Sequence, residues 1–149
     1  MITIQRLDDF GAAAVESCET LKSYEVVSTA GELKDVMDHV RDWPLLVIVI
    51  PTAQGDDESR DNRAEKNTSM FFVLKPMRES MTRQQRMDLW AETQQGMKEL
   101  KEFIHDARCS DFSDMFLDTD FANRVQEPEY NLIDCNGWSL VFDYSTDWM

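Results

Sequence analysis

The chain reads as an α+β protein in a single domain over residues 1–149: a mostly antiparallel sheet, helices packed on one of its faces, and a C-terminal β-hairpin. Three observations carry this reading. Two short segments, Leu45–Ile50 and Thr68–Leu74, are apolar at nearly every position, as strands covered on both faces are. Three other segments repeat apolar residues at three- and four-residue spacing, the mark of an amphipathic helix. Finally, Asn136-Gly137 separates two segments of strand character, and Asn-Gly is the strongest short-range signal for a two-residue hairpin turn.

The elements follow in order. Leu7, Phe10, Ala14, Val15, Cys18 and Leu21 form one stripe and predict a helix over 5–22, slightly weakened by Gly11. Tyr24–Val27 is a short strand. Thr29 and Glu32 then match a capping box, in which a threonine N-cap and a glutamate three residues later satisfy each other's free backbone N–H groups. Leu33, Val36, Met37 and Val40 follow on one face, and the helix must end before Pro44. Leu45–Ile50 is the first interior strand, ended by Pro51. Residues 52–67 are polar and charged and read as a long loop, and Thr68–Leu74 returns beside the first strand as a hairpin with an extended tip. Pro76 ends that strand. A long helix runs from Thr82 to Ala107, with Met87, Trp90, Ala91, Met97, Leu100, Phe103, Ile104 and Ala107 on its buried side and Gly96 at a close crossing or mild kink. An acidic connection over 109–120 is anchored by Phe112, Met115, Phe116 and Leu117. Phe121–Val125 starts a strand, and Pro128 precedes the closing hairpin. A turn at Asn136-Gly137 would pair Cys135 with Trp138, Ile133 with Leu140 and Asn131 with Phe142, leaving Trp138, Leu140 and Phe142 on one face toward a helix.

The net charge is −14, and it is uneven. Residues 1–42 hold nine acids and four bases, 43–108 eleven and ten, and 109–149 nine acids against Arg124 alone. Binding to nucleic acid draws its affinity chiefly from Lys and Arg, so direct sequence-specific nucleic-acid binding is not expected. A basic partner, or repulsion of DNA, is. The longest apolar run, Leu45–Ile50, is far short of the roughly 20 residues that span a bilayer, and the N-terminus lacks a signal-peptide pattern. Cys18, Cys109 and Cys135 show no paired spacing and read as reduced thiols in a cytoplasmic protein.

No catalytic motif stands out. There is no phosphate loop, dinucleotide fingerprint, nucleophile elbow or zinc-protease helix, no family-type cysteine motif with a histidine partner, and no cofactor or metal is expected. Asp111, Asp114, Asp118 and Asp120 invite a calcium reading, but the spacing is irregular and no glycine turn lies between them; a solvated acidic loop fits better. The remaining candidates are partner contacts. Asp56, Asp57, Glu58, Arg60 and Arg63 lie in the long loop between two core strands, a common place to mount a binding element, although a solvated tip would have the same composition. The aspartates at 111, 114, 118 and 120 are the second group.

Thr68–Leu74, the helix around Trp90–Ile104, and Pro128–Tyr144 with its Asn136-Gly137-Trp138-Ser139-Leu140-Val141-Phe142 run together carry a resemblance. In the order of its elements the chain is similar to the small tail-completion or tail-terminator proteins of tailed bacteriophages and prophages. The resemblance implies a non-enzymatic subunit that assembles as a homo-oligomeric ring with other phage structural proteins, located in the virion. The long loop would contact neighbours, and an acidic lumen would let DNA slide past. A small acidic cytosolic binding protein, such as a toxin-immunity protein or a DNA-mimic inhibitor, is the alternative that the charge suits.

Overall fold

In the computed structural model, residues 2–55, 64–107, 111–116, 119 and 124–147 are described. Thr3 opens the first helix by accepting a hydrogen bond from the Arg6 N–H. This helix, α1 (Ile4–Ser17), buries Leu7, Phe10, Gly11 and Ala14. It stops five residues short of the predicted end at 22: Cys18 turns to extended backbone while its N–H still reaches the Ala14 carbonyl. Leu21 remains in the core from the connection to β1 (Ser23–Val27). The capping box forms with one change: its return bond goes to Ser28, one residue before the N-cap, and not to Thr29. Thr29 Oγ1 accepts from the Glu32 N–H, and the Glu32 carboxylate reaches back to the N–H and hydroxyl of Ser28. It opens α2 (Ala30–Met37).

The remaining elements are β2 (Leu45–Gly55), β3 (Ala64–Pro76), α3 (Arg83–Ala107), β4 (Val125–Leu132) and β5 (Cys135–Asp147). Together they complete an α+β fold with one five-stranded sheet in the order β1-β2-β3-β5-β4. Among the described residues only the β1–β2 pair is parallel, with α2 as its crossover; every other pair is antiparallel.

Successive residues of a strand point to opposite faces, and β2 uses both. Leu46 and Ile48 join Phe71, Val73, Leu140, Phe142 and Tyr144 beneath α1, α3 and Phe112, Met115 and Phe116. Leu45 and Val47 join Phe72, Leu74 and Cys135 beneath Leu33 and Met37. The helices are therefore not all on one face as the sequence predicts. The two longer ones share a face, and α2 covers one end of the other, because a crossover between adjacent parallel strands must return over the sheet.

Three further expectations change. The polar segment 52–67 is not all loop: β2 and β3 stay paired through Gly55↔Glu65, so its two ends extend the ladder past the bulge between Val49 and Thr52. On α3, Met87 is 50% exposed and Ala91 lies outward, while Leu89, Thr93 and Gly96 are buried. Thr93 is tolerated on that face because its hydroxyl donates to the Leu89 carbonyl within the helix. Gly96 does mark a close crossing: a Cβ there would stand 3.1 Å from Val73 Cγ1 and 3.2 Å from Leu21 Cδ2.

The closing hairpin exists, but its turn is Ile133-Asp134, not Asn136-Gly137. Both turn residues have positive φ, 49° and 59°, and Leu132 pairs with Cys135, Pro128 with Trp138 and Gln126 with Leu140. Gly137 is a strand residue opposite Leu74. A Cβ there would sit 1.8 Å from the Val73 carbonyl oxygen, so the glycine serves close backbone approach and not a turn. Asn136 is buried and works across the hairpin, accepting from the Asn131 N–H at 2.8 Å and donating to Met77 Sδ. The alternation of Trp138, Leu140 and Phe142 toward the core holds, since it depends on strand parity and not on the turn.

Candidate functional site

Of the nine acidic and basic residues singled out as partner contacts, Asp56, Asp57, Glu58, Arg60, Arg63, Asp118 and Asp120 lie outside the described residues. Asp111 and Asp114 are described, and both are exposed; Asp114 meets α1 through its carboxylate and Asp111 through its backbone carbonyl. Arg6 donates from Nη2 to Asp114 Oδ1 at 2.6 Å and from Nε to Oδ2 at 3.3 Å, and also to the Asp111 backbone carbonyl. Its guanidinium stacks 4.5 Å above the Phe112 ring. Hydrogen bonding and charge from Arg6 hold the Asp114 carboxyl below its ordinary range. This pair ties the segment 111–116 to α1 and seats Phe112 and Phe116 against Phe10.

The two described cysteines are packing residues, and Cys109 lies outside the described residues. Cys18 and Cys135 are buried, and desolvation pushes their thiols up to about 11 and about 12. At neutral pH both stay protonated, and a thiol is a poor nucleophile. Trp138 is half-buried, edge-on to Trp90, and its Nε1 donates to the Trp90 carbonyl at 3.3 Å. No group of three or more metal-ligating side chains occurs among the described residues, and no helix among them is long and apolar enough to cross a membrane.

The most unusual surface is on the face that α2 covers only in part. Strand register aligns Val27, Val49, Met70, Val141 and Val125 in one transverse row across the whole sheet. Val27 is buried near α2, but Met70 is 39% and Val125 49% exposed, and Val49 and Val141 are half-buried. At roughly 4.8 Å per strand the open part, from β2 to β4, is about 14 Å long. One flank is the row Val47–Phe72–Ser139–Glu127. The other holds Thr68, whose hydroxyl donates to Asp143 at 2.6 Å, and Lys66, paired with the same carboxylate at 3.4 Å. The sequence shows each of these apolar residues but not their alignment. The row appears only once four strands are placed in register.

Concavities lined by described residues also mark the surface. A groove of about 720 Å³ lies between the residues just after α2, the end of β3 and the start of α3, with Trp43, Lys75, Arg78 and Leu89 among its walls. A second, of about 540 Å³, is lined by Asp8, Tyr24 and Glu25. There the Tyr24 hydroxyl donates to Asp8 at 3.0 Å, and burial, with the charge of Asp8, raises the Glu25 carboxyl. Set beside known proteins, the chain matches no family model, and no curated protein resembles it significantly.

Proposed function

We propose that this protein is a non-enzymatic assembly subunit that associates with copies of itself through the uncovered face of its sheet, as a tail-completion or tail-terminator subunit in a ring at the end of a phage tail tube. The observation that carries this reading is the open row Val49–Met70–Val141–Val125. An antiparallel sheet with a solvated face ordinarily alternates apolar-in with polar-out; an apolar row on the outward side is area that association would remove from water. Protonated, buried Cys18 and Cys135 agree with a role without covalent chemistry. The acidic remainder suits a lumen along which DNA slides without sticking.

The test is the Met70→Glu variant. Met70 is partly exposed at the centre of the row, so a carboxylate there stays solvated in the monomer and is desolvated in the assembly. Light scattering coupled to size exclusion is expected to give a multimer for the wild-type chain and a monomer for the variant, with matching circular dichroism. Equal masses for the two would refute the role of this face. The net charge also favours an acidic inhibitor of a basic protein; a salt-sensitive 1:1 complex with a basic nuclease, undisturbed by Met70→Glu, would support that reading instead.

A further inference from the structure

We propose that the groove between α2 and α3 is a receptor for a short acidic peptide segment of a partner protein. The groove is an electrostatic exception. The chain as a whole carries −14, yet the lining of the groove holds three bases, Arg41, Lys75 and Arg78, against two acids, Asp88 and Glu92. Lys75 is already committed to Glu92, and both are only part-buried. Arg78 is exposed and has no ion pair among the described residues. Arg41 spends its guanidinium on the Asp38 and Val40 carbonyls at 3.1 and 3.3 Å, with no carboxylate partner among the described residues. Each guanidinium keeps planar donors that match a carboxylate in two-point geometry.

The remaining walls favour a peptide over a free anion. Trp43, Met81 and Leu89 supply apolar surface, of which a small ion would use none. Asp88 stands on the α3 wall and would repel a phosphate dianion, but it can accept the N–H groups that a peptide brings along with its acidic side chains. Acceptors on one wall and donors on the other therefore match a ligand that carries both. The volume, about 720 Å³, falls within the range of roughly 300–1,000 Å³ that ligand pockets occupy. The groove lies at the end of the sheet nearest α2, away from the Met70 row, so its occupancy does not depend on that face being an assembly surface.

The probe is a fluorescein-labelled, amidated peptide of sequence DEFDEL, titrated with the full chain and followed by anisotropy. Its counterpart NQFNQL is the neutral control. Saturable binding is expected for the acidic peptide only, weakening at least about tenfold between 50 and 300 mM salt and by at least about tenfold in the double variant Arg41→Glu, Arg78→Glu. Both arginines are exposed, so the variant should keep the wild-type thermal transition. Met70→Glu should bind the peptide like wild type, which separates this test from that of the sheet face. No binding by the wild-type chain, undiminished binding by the double variant, equal binding of the neutral peptide, or displacement by millimolar inorganic phosphate would overturn the proposal.

Discussion

At the scale of single residues, Asp114, one of the acids that draw attention in the sequence, is tied into the fold by Arg6. Asp114 is hydrogen-bonded twice by Arg6, and its depressed pKa sets the sign of a pH effect. A carboxyl held below its unfolded value contributes stability that is fully present above its ordinary 3.8 and is lost as pH falls through the folded value. Asp114→Asn should therefore cost about 0.5–1 kcal/mol at pH 7, the upper part of the range for exposed pairs because the fork is two-pronged and stacked. Urea titrations of the two proteins at pH 7 and pH 2.5 check this, and the gap between them should close at the lower pH. A gap that persists would mean that the asparagine perturbs packing around Phe112 and not the ion pair.

At the scale of elements, the hairpin decides between two registers. Gly137→Ala drives a Cβ into the Val73 carbonyl and should destabilise by more than about 3 kcal/mol. Asp134→Gly, in contrast, relieves a left-handed backbone at φ 59° and should stabilise by about 0.5–1 kcal/mol. Thermal melts of the two variants should thus move in opposite directions; a turn at Asn136-Gly137 would make Asp134→Gly destabilising. Asn-Gly has the local chemistry of a hairpin turn, but Gly137 is needed by β3, a tertiary demand that no local window contains. Periodicity and capping within one element located α1, α2 and the strand pair β2–β3, although they carried α1 past Ser17 and left the paired ends of 52–67 as loop. The buried side of α3 was half legible: Leu89, Thr93, Gly96, Leu100, Ile104 and Ala107 share one helical period, but Thr93 and Gly96 are not apolar enough to mark it, so Met87 and Ala91 drew the start of the stripe off its face. The candidate surface was not legible at all, because its residues come from β2, β3, β5 and β4 and meet only through register.

At the scale of the whole molecule, an apolar row and a net charge of −14 oppose each other. Copies of the chain repel at long range and attract only where Val49, Met70, Val141 and Val125 can be buried. Salt shortens the range of the repulsion, from a Debye length of about 30 Å at 0.01 M to about 8 Å at 0.15 M, and leaves the apolar gain in place. Assembly should therefore strengthen as salt rises, whereas the acidic-peptide complex in the groove should weaken. An inhibitor that docks on a basic protein would also lose affinity with salt, so the sign of the salt effect separates the readings. The most direct measurement is the molar mass of the wild-type chain by light scattering at about 100 µM protein, taken at 10 and 300 mM salt. Association through the sheet face predicts a whole-number multiple of 17.4 kDa that grows in population with salt and returns to 17.4 kDa in Met70→Glu; a mass of 17.4 kDa for the wild-type chain at both salt concentrations would contradict it.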